Sequence, residues 1–339
     1  MSQKILITRL AGLGDVSSIL VPAARWMRTQ HPDAVIDVLT YAAGTELMTL
    51  SPDVNNVLGI TQAQWPSDLQ PATEQFLDIA KVVAAQGYNR IICLDTWFMP
   101  CFLARVLKDV GMQVEGNTID RPITEFFAKL HAGQLPATYF QHTNYMTSSY
   151  PNMKDWSTAW WQQPNQYPHY PDYYLKHCCG FQGDIDYHLP VKSDEAFQAQ
   201  AAGKRIIAVS FKGSTTFKSY RHADALVNRL TDMGYYVWGQ FDGSLPMQVC
   251  LGRLAVTDLL ITVATSTQWL AKLVGCPSLM IPGAMHPRAL GAELTVNQVI
   301  DCQYCCQRDC PASRDFACTD VPISDVVKKV KAYFSERSQ

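Results

Sequence analysis

Four stretches of this chain carry the residue types that chemistry needs. The first is Lys4-Ile-Leu-Ile-Thr-Arg-Leu-Ala-Gly-Leu-Gly-Asp-Val16. An apolar run at 5–7 reads as a strand buried on both faces. Gly12 and Gly14 then bracket a tight turn, and Asp15 falls at the N-cap or first turn of the following helix. Glycines let backbone approach a ligand, and a helix N-terminus favours anions. Asp15 is thus either a carboxylate at the mouth of a cleft or a helix cap. The third glycine of the dinucleotide fingerprint is missing.

The second stretch is Lys212-Gly-Ser-Thr-Thr-Phe-Lys218, where a glycine, three hydroxyls and a lysine after a strand offer donors and charge to a phosphate. A polar surface loop would read the same way. The third, Val263-Ala-Thr-Ser-Thr-Gln-Trp-Leu-Ala271, sets Thr265, Ser266 and Thr267 where a strand gives way to a helix. Capping explains one hydroxyl there, not three, and a phosphate or ribose suits the rest. The loop Pro282-Gly-Ala-Met-His-Pro-Arg288 adds His286, either a phosphate contact or an incidental loop histidine. The fourth stretch is Cys302-x-x-Cys305-Cys306-x-x-x-Cys310 with Cys318. Thiolates bind zinc tetrahedrally, so Cys302, Cys305, Cys310 and Cys318 make a candidate four-ligand set with no open position; reduced thiols are the alternative.

These groups need elements to hold them. Strand signals at 35–40, 56–60 and 90–94 alternate with helical periodicity at 16–30, 42–50, 73–86 and 97–110. That alternation implies βαβ crossovers and a parallel sheet. Pro22 is expected to kink the first helix or shift its start. Residues 119–178 break the pattern with aromatics, prolines and amides. The rings either clamp helices onto the first domain or form a platform for sugar rings. A second α/β unit opens with the strand at 206–211, continues through strands at 235–240, 259–263 and 278–281, and ends in an amphipathic helix at 326–334. The expected domains are 1–190 and 191–339.

The chain has 339 residues, 47% hydrophobic and 17% charged, with a net charge of −2. This describes an ordinary globular protein of two domains, and no basic run points to nucleic acid. No apolar run is long enough to span a membrane, and residues 1–20 lack a signal-peptide layout, so a cytoplasmic protein is expected. Eleven cysteines in such a chain suggest free thiols or a metal. Those at 93, 101, 178, 179, 250 and 276 read as core residues.

Arg9-Leu-Ala-Gly-Leu-Gly-Asp-Val16, with Pro22 and Ala23-Ala24-Arg25, resembles the opening of the family 9 glycosyltransferases, the bacterial heptosyltransferases and their relatives. The resemblance recurs in order over nearly the whole chain. It implies a GT-B arrangement, two Rossmann-like α/β domains facing a central cleft. The first domain would take the acceptor, with the 119–178 insertion on its side. The second would bind the donor and send its C-terminal helix back across the first. Asp15 would be the general base of an inverting transfer that needs no metal. Ser214, Thr215 and Lys218 would hold the diphosphate of a nucleotide sugar such as ADP-heptose. Gly12, Gly14, Thr265, Ser266, Thr267 and His286 would line the same donor. The cysteine cluster resembles one that holds zinc or iron in some relatives, here as a structural metal. Lipopolysaccharide, another glycan or a protein would be the acceptor, with peripheral contact to the inner membrane possible.

Three departures stand out. The family's Asp-Thr-Gly-x-x-His reads here with Ala264 for the aspartate, Ser266 for the glycine and Trp269 for the histidine. They keep two other readings open: a relative that binds a nucleotide sugar or glycan without transferring it, and a nucleotide-sugar epimerase on the same architecture.

Overall fold

The computed structural model describes residues 3–10, 12–158, 160, 167–213, 215, 218–307, 310–311 and 313–337. The chain divides into two compact units, crossing from the first to the second between 187 and 188. Trp160 and residues 167–170 also group with the second unit, although the whole 119–178 stretch was expected in the first. The reason is local. The Arg288 guanidinium lies 5.1 Å from the Trp160 ring and donates to the Tyr167 carbonyl at 2.9 Å, while the His169 ring meets Trp269 edge-on.

The first unit is a six-stranded sheet in the order β3-β2-β1-β4-β5-β6. Its strands are β1 (Lys4–Thr8), β2 (Val35–Tyr41), β3 (Asn56–Ile60), β4 (Arg90–Cys93), β5 (Val114–Ile119) and β6 (Met146–Ser148). All pairings are parallel except β5 with β6. Ile5, Leu6 and Ile7 are completely buried, as a central strand covered on both faces requires. Helix α1 begins at Leu13–Asp15, widens into a π-helical stretch at Val16–Leu20 and continues as Val21–Gln30. The widening lets the chain pass through Pro22, which lacks an N–H and would crowd a carbonyl of a regular α-turn. Ser17 Oγ donates to the carbonyls of Leu13 and Gly14 at 2.7 and 3.0 Å.

Helix α2 (Ala43–Thr49) links β2 to β3, α3 (Leu69–Ala85) links β3 to β4, and α4 (Phe98–Asp109) links β4 to β5. The helices α3 and α4 share one core with Leu6, Leu10, Leu39 and Ile91; α1 contributes nothing to it. Right-handed crossovers account for this, since the connections on either side of β1 then lie on opposite faces of the sheet. Strand β5 escapes sequence detection because Gly116 interrupts it at φ 91°, where an added Cβ would sit 2.1 Å from the Cys93 carbonyl oxygen. Helix α5 (Ile123–His131) follows, burying Phe126 against Phe102.

The second unit holds α6 (Glu195–Gln200), β7 (Ile206–Ser210), α7 (Ala223–Asp232), β8 (Tyr236–Trp238), α8 (Met247–Ala255), β9 (Leu259–Val263), α9 (Ser266–Leu273), β10 (Ser278–Ile281), β11 (Leu294–Thr295) and α10 (Ile323–Glu336). Its sheet is parallel throughout, in the order β11-β10-β9-β7-β8. Helix α10 packs on its own unit. Val326, Val330, Tyr333 and Phe334 are buried in the second unit's own core. The Tyr333 hydroxyl donates to the Asp258 carbonyl at 3.1 Å, and Phe334 stacks on Tyr235. Among the described residues no helix is long and apolar enough to cross a membrane.

Candidate functional site

In open parallel sheets ligands bind beyond the carboxyl ends of the strands, where strand order reverses. In the first unit that point lies between β1 and β4. The Leu94 N–H donates to the Thr8 carbonyl at 3.0 Å and keeps the two strand ends side by side. Arg9, just past β1, is buried. Its guanidinium donates to Asp15 Oδ1 at 2.8 Å and to the Leu94 carbonyl, and lies 5.3 Å from the Tyr174 ring. Both oxygens of the fully buried Asp95 carboxylate accept from the Leu10 N–H at 2.9 Å. Burial opposes the Arg9 charge. The carboxylate of Asp15, then Tyr174 and Asp95, outweigh it and hold the guanidinium well above its ordinary pKa.

Asp15 sits in the first turn of α1 and makes no capping hydrogen bond. Its side chain is 39% exposed, against 4% for Arg9. A buried cation thus grips one oxygen of a carboxylate that reaches solvent. Gly12 adopts φ −53°, which any residue can, and an added Cβ would meet nothing within 4 Å. It leaves open space beside Asp15 rather than permitting a special turn. Gly14 lies within the same helical turn. Arg9 and Asp95 went unremarked as site residues in the sequence. Their signal is a charge at the end of each of two apolar strands.

In the second unit the reversal lies between β7 and β9. Ser210 Oγ donates to Thr267 Oγ1 at 3.0 Å, and Thr262 Oγ1 to the Ser210 carbonyl at 3.2 Å. The Thr265 and Thr262 hydroxyls are 3.3 Å apart. Thr267 is buried, so its hydroxyl serves the strand–helix junction, whereas Thr265 and Ser266 are half-exposed at the start of α9. Trp269 is buried against Gly291, whose added Cβ would come within 2.7 Å of the indole. It fills the space.

The loop after β7 doubles back. Lys218 N–H donates to the Thr215 carbonyl at 3.0 Å and Tyr220 N–H to the Phe211 carbonyl at 2.9 Å. A Cβ on Gly213 would lie 2.3 Å from Lys218 Cβ and 2.7 Å from its carbonyl oxygen, so only glycine lets the loop close. The Gly213 N–H is already engaged by Ser219 Oγ at 3.2 Å. Thr215 is exposed and Lys218 half-buried; Ser214 lies outside the described residues. His286 Nδ1 accepts from the Arg288 N–H at 3.2 Å, and burial together with the Arg288 charge lowers its pKa. The folded environment thus favours the neutral ring.

The cysteine run braces the His286 loop: Cys306 N–H donates to the Ala284 carbonyl at 2.8 Å, and Tyr304 meets the His286 ring edge. The Phe316 N–H donates to Cys310 Sγ at 3.4 Å. Tyr304, Cys306, Asp315 and Phe316 all take positive φ. Burial, then the thiols of Cys305, Cys302 and Cys310, push the Cys318 thiol up, so these four sulfurs are electrostatic neighbours. They are not in ligating arrangement, since among the described residues no three His, Cys, Asp or Glu side chains are grouped to hold a metal ion. The other six cysteines are buried, as expected.

No family model and no curated protein sequence matches the chain. Solved structures do. A glycosyl transferase family 9 structure from Veillonella parvula aligns with TM-score 0.68 at 13% identity, over 98% of this chain and 97% of that one. The E. coli ADP-heptose lipopolysaccharide heptosyltransferase II aligns at 0.65 and 12%, over 99% and 100%. An iron-containing dodecameric glycosyltransferase from enterotoxigenic E. coli aligns at 0.56 and 12%, over 99% and 77%. At these identities the likeness is one of fold, and the fold is that of the GT-B glycosyltransferases.

Proposed function

We propose that this chain is a glycosyltransferase that moves a sugar from a nucleotide diphosphate sugar to a hydroxyl on a glycan, lipopolysaccharide or protein. The observation that carries this reading is the Arg9–Asp15 pair at the β1–β4 reversal, a solvent-reaching carboxylate oriented by a buried guanidinium. Asp15 takes the proton of the acceptor hydroxyl as its oxygen attacks the anomeric carbon. The bond to the diphosphate breaks on the opposite side, which inverts the centre, and its electron pair leaves on the diphosphate oxygen. The Arg9 hydrogen bond fixes the carboxylate's orientation and leaves its second oxygen to take the proton. Lys218, Thr215, Ser266 and the first N–H groups of α9 stabilise charge growing on the leaving group. Structures of the E. coli heptosyltransferase hold ADP and an ADP-heptose analogue, and they favour an ADP-sugar donor here.

Asp15→Asn keeps an oxygen for Arg9 but cannot take a proton. Transfer should fall by about 10²–10⁴-fold. The ADP-induced rise in melting temperature should persist. Near wild-type transfer would overturn the role of Asp15. A second reading is favoured by Trp269, which fills the place of the family's histidine, and by the engaged Thr267 hydroxyl. In it the chain binds a nucleotide sugar without transferring it, and nucleotide binding with no turnover on any acceptor separates the two.

For the cysteine loop the donor chemistry fits a thiolate metal site, although the arrangement would have to tighten. Cys302, Cys305, Cys310 and Cys318 would then hold structural zinc or iron and rigidify the His286 loop. Stoichiometric metal by elemental analysis, lost together with melting temperature on Cys318→Ser, is the expected result.

A further inference from the structure

The aromatic stretch at 119–178 is the obvious place to look for a sugar platform, but its described rings are mostly used internally. Tyr139, Tyr145, Trp160, Tyr173 and Tyr174 are all buried. Two of their hydroxyls donate to the chain leaving β4, Tyr174 to the Leu94 carbonyl at 2.7 Å and Tyr145 to the Thr96 carbonyl at 2.6 Å. They clamp a loop, and that loop ends in a ring of the opposite kind. Trp97 is 56% exposed. It stands two residues beyond the Asp95 carboxylate that holds Leu10, at the start of α4.

Trp97 is also held in place. The Trp65 ring meets it edge-on at 6.1 Å; Trp65 is itself wedged between Tyr41 at 5.4 Å and the fully buried Phe76 at 5.3 Å. An exposed indole is costly in water and has every reason to fold away. This one is propped outward by a chain of edge-to-face contacts that ends in the core. The crossovers put α1 and α4 on opposite faces of the sheet, so Asp15 opens one flank of the β1–β4 crevice and Trp97 the other.

Resting on the transferase reading above, we propose that Trp97 is the acceptor-stacking residue of the first unit. Its indole face receives the apolar face of a pyranose ring whose hydroxyl is presented to Asp15. A pyranose has a face of axial C–H groups that packs on an aromatic ring, while its rim of hydroxyls stays free for hydrogen bonds. The acceptor is accordingly a saccharide, not the serine or threonine hydroxyl of a protein. Tyr41 and Trp65 are positioning residues that fix the angle of the indole.

The test uses the full chain with methyl β-galactopyranoside, methyl β-glucopyranoside and methyl α-mannopyranoside as probes. The Trp97 indole N–H resonance, assigned by its loss in Trp97→Phe, is followed during titration. A saturable shift of that resonance, larger for one glycoside than for the others, is expected. No shift with any of the three overturns the proposal. In steady-state transfer with a saccharide acceptor, Trp97→Ala should raise the acceptor KM about 3- to 10-fold. It should leave donor KM unchanged, and Trp97→Phe should restore most of the loss. An unchanged acceptor KM in Trp97→Ala, with transfer still abolished by Asp15→Asn, overturns the stacking role and leaves the transferase standing. Undiminished transfer in Asp15→Asn strikes the base instead and does not touch the titration.

Discussion

In the first unit, the crevice where strand order reverses holds three charged side chains, Arg9, Asp15 and Asp95, two of them buried. The corresponding crevice of the second unit, between β7 and β9, holds Ser210, Thr262, Thr265, Ser266 and Thr267, all neutral. The sheets are near relatives and the chemistry is opposite. A buried charge must be fixed by partners before any ligand arrives, because leaving it alone in a low-dielectric interior is far costlier than leaving a hydroxyl. The first site is therefore preorganised around one carboxylate. The second is a set of neutral hydroxyls that needs no countercharge fixed in advance; on the reading proposed above, Lys218 brings that charge to a diphosphate.

The largest test of that contrast is to remove the central group from each crevice. Arg9→Met leaves the buried Asp95 without its neighbouring cation and removes one of the two donors to the Leu94 carbonyl, so unfolding free energy should fall by about 3–5 kcal/mol. Ser210→Ala removes one neutral hydroxyl pair, for which about 1 kcal/mol is expected. Chemical denaturation of both variants checks the ratio, and equal losses would end the distinction. Next in size, Gly213→Ala drives a Cβ into the Lys218 backbone, which cannot move aside as a side-chain tip can. The loop must open, and affinity for ADP should fall at least as far as in Lys218→Met. That variant alone removes a charge-assisted contact of about 1.5–3 kcal/mol, roughly 10- to 100-fold in Kd, and flattens the salt dependence of binding. Calorimetric titration at two salt concentrations reads both.

How much of this was visible in the sequence follows from where the information lies. Strands β9 and β10 match their predicted limits because each is a fully buried apolar run inside a parallel sheet, where burial writes itself as composition; β3 matches as well, although it is an edge strand that buries only Ile60. Strand β5 was missed because Gly116 and Asn117 dilute it, and only the close approach of Cys93 explains the glycine. Helix α8 was missed because it is short and mostly apolar, with Gln248 and Arg253 its only polar residues, so its buried face stands out too little from the rest. Asp15 was legible through its motif. Its grip by Arg9 was not, since i to i+6 contacts across a strand–helix turn leave no periodic trace. Trp97 drew no notice because it lies outside the 119–178 aromatic stretch and composition does not say which rings face water.

The smallest expected effect lies at His286, on the neutral side of the contrast. Burial, then the neighbouring Arg288 charge, lower its pKa below the ordinary histidine value of about 6.5. The unfolded chain therefore takes up this proton at higher pH than the folded one does. The stability that the neutral ring contributes is complete above about pH 6.5 and is lost progressively as the pH falls below it. The ring is partly solvated, so the slope is shallow. His286→Gln keeps an acceptor for the Arg288 N–H and cannot titrate. Between pH 7.5 and 5.5 the wild type should lose more unfolding free energy than this variant. If the two curves run parallel, the ring is indifferent to its charge, and the cationic phosphate contact considered in the sequence becomes tenable again. If they diverge as expected, the folded unit favours the neutral ring, and the contrast between the two crevices holds at its weakest point.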